Sequence, residues 1–223
     1  MKKGVFLQVR LNSSRLPRKA LLPLGNFTVI EWAMRALKIV KAQNHVLLTD
    51  HESLSELGPL AANWGWDIFA GDPENVLNRY VSAARKFQTD FILRATGDNP
   101  FVSASVGNDN LVQLENEGWD LFARASGPLG TGTEAVRFDA LEYALSHSPD
   151  SYEKEHVTPF IYRKPEIFRV GKPAVQTQFF YPQGRVTLDT KEDYEKIQTL
   201  LNDLKLEGPP EADVLIPWLK LHG

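Results

Sequence analysis

Four cations crowd into one short stretch near the start of the chain. Arg10, Arg15, Arg18 and Lys19 lie within QVRLNSSRLPRKALLPLG, with Ser13 and Ser14 among them. The chain as a whole is slightly acidic, with 25 Lys+Arg against 28 Asp+Glu. The positive charge is therefore local, and a local anion is its natural partner. Guanidinium and ammonium groups, with hydroxyls and loop amides, are the set that binds phosphate oxygens. A second stretch, TGDNP, brings Asp98, a hard oxygen ligand suited to magnesium. A nucleoside triphosphate with a divalent metal would satisfy both stretches. Taken alone, each also reads as a plain solvated turn, since Gly, Asp, Asn and Pro all favour turns. No G-x-x-x-x-G-K-[ST] and no G-x-G-x-x-G occurs, which sets aside P-loop kinases and nicotinamide enzymes.

Cysteine is absent, so disulfides, thiolate zinc sites and a cysteine nucleophile are excluded. His156 and Glu153 share helix spacing, but no H-E-x-x-H zinc motif is present. The opening MKKGVFLQVR has too short an apolar run for a signal peptide. No segment approaches the ~20 apolar residues of a membrane span. These features predict a cytoplasmic protein with no membrane partner. A net charge of -3 argues against nucleic acid, which favours a broad basic surface.

The elements that must hold these residues follow from periodicity. GVFLQV reads as a buried strand, HVLLTD as a second, DIFAG as a third and DFILRATGD as a fourth. TVIEWAMRALKIVKA places Ile30, Ala33, Met34, Leu37 and Val40 at helical spacing. ESLSELGPLAANWG reads as a helix broken near Gly58-Pro59. DPENVLNRYVSAARKF reads as a helix capped by Asp72, with Pro73 in its first turn. Strands alternating with helices predict a parallel α/β sheet. Ligands collect at the carboxyl ends of such strands. The basic loop leaves the end of strand one and TGDNP leaves the end of strand four, so both face one cleft.

The second half is less regular. WDLFARAS, FRVGKP and FFYPQGRVTLD hold strand candidates, and GPLGTGTEAVRF is a glycine-rich loop leading into a short strand. DALEYALSH and SYEKEHVTPFIYRK read as helices, and TKEDYEKIQTLLNDLKL as an amphipathic helix capped by its threonine. Trp64 and Trp66 flank a glycine, which would suit an exposed oligomer contact. The predicted organisation is one domain, 1–223, with a small lobe somewhere in 120–185.

Five stretches in order carry a resemblance: QVRLNSSRLPRKALLPLG, GDPENVLNRYVSAARKF, ILRATGDNP, SYEKEHVTPFIYRKPEIFRV and GRVTLDTKEDYEKI. Together they resemble the SpsF-like (spore coat polysaccharide) branch of the cytidylyltransferases, related to the acylneuraminate and 3-deoxy-manno-octulosonate cytidylyltransferases. The resemblance implies a nucleotide-diphospho-sugar transferase fold, GT-A-like and Rossmann-like, a three-layer sandwich with a mostly parallel central sheet. It implies transfer of CMP from CTP to a sugar acid with release of pyrophosphate, for polysaccharide biosynthesis, with Mg2+ as cofactor. It also implies residue roles. Arg10 and Lys19 would contact the triphosphate, with Ser13, Ser14 and Arg15 lining the same loop. Leu7 and Gln8 would lie near the base, and Arg79 and Arg94 near the base or α-phosphate. Asp98 and Asp189 would bind magnesium, and Glu134 and His156 would serve the sugar side. A homodimer is the usual assembly of such enzymes.

The chain departs from the pattern at Asn12 and Arg18, where small residues are usual, and at Ser103, where aspartate is frequent. Its GTGTEAVRF is shorter than the family's version, so the sugar itself does not carry over. Two further functions fit the same residues: a GT-A glycosyltransferase, disfavoured by the lack of a clear D-x-D, and a non-catalytic nucleotide-binding assembly subunit.

Overall fold

Residues 4–7 are buried without interruption, as a strand covered on both faces must be. They form most of β1 (Lys3–Gln8), the centre of the sheet. The structure is a computed structural model that describes residues 1–12 and 15–222. Ser13 and Ser14, two of the expected loop residues, lie outside the described residues. The other strands are β2 (Pro23–Leu24), β3 (Phe27–Thr28), β4 (Asn44–Asp50), β5 (Asp67–Gly71), β6 (Phe91–Thr96), β7 (Leu121–Phe122), β8 (Glu134–Arg137) and β9 (Val170–Gly171). The helices are α1 (Val29–Leu37), α2 (Leu54–Asn63), α3 (Val76–Phe87), α4 (Ala104–Glu117), α5 (Phe138–His147), α6 (Ser151–His156), α7 (Pro159–Tyr162), α8 (Lys191–Asp203) and α9 (Ala212–His222).

The main sheet runs β5-β4-β1-β6-β8-β7-β9, and β2 and β3 form a separate hairpin. β5, β4, β1 and β6 are parallel, whereas β8 runs antiparallel to both β6 and β7. Helices cover both faces. On one, Val5 and Leu7 pack with α1, α2 and α4. On the other, Phe6 packs with α3, α5 and α7. The division follows from the pleat, which sends successive side chains to opposite faces. A third apolar cluster joins α1 to α8 and α9 through Trp32, Leu188, Leu200 and Leu219. The expected three-layer α/β fold with a mostly parallel sheet is the one observed.

Several local expectations differ from the structure. α3 begins at Val76 with Asn75 as its cap, the Asn75 Oδ1 accepting from the Asn78 amide at 2.9 Å. Asp72 instead closes the preceding turn, accepting from the amides of Glu74 and Asn75 at 3.0 and 2.9 Å. α2 passes through Pro59 unbroken. Ser55 and Pro59 are both exposed, so water can satisfy the carbonyl that Pro59 cannot bond. SYEKEHVTPFIYRK is two short helices, because Pro159 cannot donate the amide hydrogen that would continue α6. FFYPQGRVTLD forms no strand; Arg185 makes only an isolated bridge to Leu129. Trp66 is buried, and the Trp64 indole donates to Glu31 at 3.0 Å, so this pair is no free surface patch. α9, which the sequence reading missed, buries Leu215, Trp218 and Leu219.

Candidate active site

The carboxyl ends of β1 and β6 meet directly: the Gly97 amide donates to the Gln8 carbonyl at 2.8 Å. Only glycine allows this approach, since a Cβ at position 97 would sit 2.9 Å from the Val9 Cβ. Above this junction lies a cavity of about 490 Å³. The basic loop forms one wall, and Asp98 and Asp189 form another.

Lys19 ties these walls together. It opens a short 3-10 turn, Lys19–Leu21, and its Nζ donates to Asp98 Oδ2 at 3.1 Å, Asp189 Oδ1 at 3.1 Å and the Leu188 carbonyl at 2.7 Å. Its side chain is only 14 % exposed. The Leu188 amide donates to the Asp98 carbonyl at 2.9 Å, which fixes the backbone between the two aspartates. Arg15 adds a bond to Asp189 Oδ1 at 2.9 Å, and Arg185 one to Asp189 Oδ2 at 2.9 Å. The Thr96 hydroxyl donates to Asp98 Oδ1 at 2.6 Å. Asp189 ends its segment just before Thr190, which caps α8 in a reciprocal capping box with Asp193.

Burial by itself would raise the pKa of Asp189, but hydrogen bonds from Lys19 and Arg185 outweigh it and hold the carboxyl below its ordinary value. Asp193 is held at about 2, chiefly by its hydrogen bond from Arg185. Both folded pKa values lie below the unfolded one, so the stability they contribute is complete above about pH 4 and is lost as pH falls toward 2. The expected melting temperature is flat from neutral pH to about 4 and declines below that. In an Asp193→Asn variant the decline is shallower; an equally steep decline would rule out this network as the acid-labile element.

The remaining expected residues separate by the pleat. Gln8, Arg94, Thr96 and Glu134 share one face, because Gln8 pairs with Thr96 and Arg94 pairs with Glu134. Gln8 lines the cavity. Leu7 points the opposite way, fully buried against α1 and α4, with its backbone between β4 and β6. Its side chain is not among those lining the cavity. Arg10 reaches Glu155 of α6 across the cavity mouth at 3.1 Å. Arg79 lines the cavity but is almost fully buried, and its guanidinium donates to the Asp72 and Pro73 carbonyls. Burial lowers its pKa despite the nearby Asp50. Arg18 takes no part; it pairs with Glu56 in an exposed position.

Glu134 and His156, expected together on the sugar side, are apart. His156 lines the first cavity beside Glu155, its ring tilted 51° against Tyr152 with centroids 4.2 Å apart. Glu134 lines a second cavity of about 280 Å³ against the glycine-rich loop. Both Glu134 oxygens are already engaged: Oε2 accepts from Arg94 at 2.8 Å and Thr158 at 3.0 Å, and Oε1 from Tyr162 at 2.9 Å. Its place is therefore to hold Arg94, which lines both cavities. Burial opposes the Arg94 charge, but Glu134 more than compensates and keeps its pKa raised. The sequence reading missed Arg185, Thr96 and Glu155. Arg185 stands four residues before Asp189, a spacing that could have flagged it.

Among the described residues, no group of three or more His, Asp or Glu could hold a metal alone. Asp98 and Asp189 do share one cation in Lys19, so two hard oxygen ligands face the same point. That donor set fits magnesium when a substrate supplies the other oxygens.

The sequence matches the family model described as Cytidylyltransferase over residues 5–211. The chain belongs to the cytidylyltransferase family. Within it, the spore coat polysaccharide biosynthesis protein SpsF of Bacillus subtilis is 32 % identical over a 222-residue alignment covering 96 % of this chain and 92 % of that protein. A 3-deoxy-manno-octulosonate cytidylyltransferase of Chloroherpeton thalassium is 25 % identical over 93 % of this chain and 88 % of that protein. A solved cytidylyltransferase structure from Leptospira borgpetersenii superimposes with a TM-score of 0.92 at 28 % identity, covering 100 % of this chain and 95 % of that one. The cytidylyltransferase family is the one read from the five stretches. No helix of the described residues is long and apolar enough to cross a membrane.

Proposed function

We propose that this protein transfers CMP from CTP to a sugar acid and releases pyrophosphate. The observation that carries the reading is the convergence of Arg10, Arg15 and Lys19 with Asp98 and Asp189 on one cavity at the ends of β1 and β6. A cation-rich loop opposite two carboxylates is an arrangement for a polyphosphate and its counter-cation. The names of two relatives, one a 3-deoxy-manno-octulosonate cytidylyltransferase and one a polysaccharide biosynthesis protein, support a sugar-acid acceptor.

In this reading Arg10, Arg15 and Lys19 bind the triphosphate, each exchanging a carboxylate partner for phosphate oxygens. Gln8 lies at the base end, where its Oε1 has no hydrogen-bond partner within the protein. The glycine-rich loop and Tyr162 bound the acceptor's space in the second cavity. Arg94, on the wall between the cavities, neutralises charge at the α-phosphate. The acceptor hydroxyl attacks the α-phosphorus, the bond from that phosphorus to the bridging oxygen breaks with its electron pair leaving on pyrophosphate, and the hydroxyl proton passes to water in the open cavity. No covalent intermediate with the protein is involved. Catalysis is positioning plus charge neutralisation. Magnesium held by Asp98 and Asp189 would supply further neutralisation of the triphosphate when bound.

The test is pyrophosphate release with CTP and Mg2+ against a panel of sugar acids, with the CMP-sugar identified by mass. A thermal-shift screen of CTP, UTP, ATP and GTP accompanies it. The largest stabilisation is expected from CTP, and a larger one from GTP would refute the choice of base. Tight CTP binding without turnover on any acceptor would replace the enzyme with a binding subunit.

A further inference from the structure

Of the five non-glycine residues with positive φ among the described residues, Val157 alone is β-branched. Its φ of 75° and ψ of -57° place it at the centre of a γ-turn, closed by the Thr158 amide donating to the His156 carbonyl at 2.9 Å. A γ-turn of this hand is rare and strained, and a branched Cβ makes it worse. Such a conformation persists only where its surroundings over-determine it. Here they do. The Val157 side chain is fully buried with Phe160 and Ile161, and its amide donates to the Glu153 carbonyl at 3.0 Å.

The residues on either side of the turn lead to the two cavities. His156, just before it, lines the first. Thr158, just after it, donates to Glu134 at 3.0 Å, and Glu134 holds Arg94 on the wall of both. Within three residues the chain passes from one cavity's rim to the other's positioning network. We propose that Val157 is a positioning residue: its buried side chain holds a strained turn that sets His156 and the Glu134–Arg94 pair in fixed relation. This rests on the reading of the first cavity as the nucleotide site and the second as the acceptor's.

Two variants separate positioning from packing. Val157→Ala removes the apolar anchor but keeps the Cβ that opposes positive φ. Val157→Gly removes the anchor and the opposition together. At an ordinary buried site glycine is the more damaging of the two; here the order reverses. Native-state hydrogen exchange of the Thr158 amide is expected to speed up about tenfold in Val157→Ala and to stay within about threefold of wild type in Val157→Gly. The kcat for pyrophosphate release should fall about tenfold in Val157→Ala with little change in the KM for CTP, and recover in Val157→Gly. A glycine variant worse than the alanine variant in both readouts would overturn the proposal. So would a Val157→Ala protein with wild-type exchange and kcat. If the wild-type protein itself releases no pyrophosphate, the reading of the cavities fails, while the exchange order still decides the turn.

Discussion

Asp189→Asn is expected to leave the protein folded and to lower magnesium-dependent pyrophosphate release by about 100-fold, the scale on which a metal's charge stabilisation enters the barrier. The substitution keeps the size of the side chain and one acceptor oxygen. Lys19 retains Asp98 and the Leu188 carbonyl as partners, and Arg185 retains Asp193, so the local network survives with one charge fewer. Because Lys19 keeps the Asp98 carboxylate as its counter-charge, the substitution leaves no enclosed cation unpaired, and the loss of stability is expected to stay near the scale of one hydrogen bond to a charged group, about 1.5–3 kcal/mol. The alternative role is purely structural, since Asp189 directly precedes the Thr190 cap and its amide donates to Asp193 at 2.9 Å. The capping role belongs to Thr190 and Asp193, which the substitution leaves in place. A structural role would show as a lower melting temperature with turnover intact. An active Asp189→Asn enzyme with an unchanged magnesium requirement would refute the two-aspartate site, and Asp98→Asn is the matched control.

Glu134→Gln carries the largest expected cost in stability. Arg94 and Glu134 have side chains only 15 % and 21 % exposed, and the Arg94 Nε already lacks a partner. Removing the carboxylate charge strands a guanidinium in the protein interior, a loss of about 3 kcal/mol. For a chain of this length that corresponds to a fall of about 6–12 °C in melting temperature. The Tyr162 hydroxyl, whose pKa burial and Glu134 push up, still finds an acceptor in the glutamine. The double variant Arg94→Leu, Glu134→Gln removes both charges, keeps an acceptor for the Tyr162 hydroxyl, and should recover most of the lost stability while remaining inactive, because the cation facing both cavities is gone. A Glu134→Gln protein as stable as wild type would show that Arg94 is solvated, and the wall between the cavities would need to be redrawn. Equal loss in the single and double variants would point to packing instead of charge.

Much of this molecule was determined by short-range pattern. The buried run of β1, the apolar stripe of α1 and the Thr190 cap of α8 each depend on residues a few positions apart, and backbone sterics and local hydrogen bonds act over that range. Alternation of strands and helices then determined the sheet, and with it the shared edge of the basic loop and TGDNP. Where two local solutions competed, the sequence was ambiguous. Asp72 and Asn75 are both good caps, and the Asp72-Pro73 turn left the helix to Asn75. The breaks and continuities at proline depended on surroundings: α2 keeps Pro59 because water reaches the freed carbonyl, while α6 ends at the buried Val157, two residues before the half-buried Pro159. Only the tertiary structure decided the site's pairings. Lys19 meets Asp98 and Asp189 across 79 and 170 residues of sequence, and Arg94 meets Glu134 across 40. It also decided that His156 faces the first cavity and Glu134 the second, although both lie in the same half of the chain. Contacts of such separation carry no local signal, because they form only after the sheet has brought its strand ends together and the pleat has assigned each side chain a face.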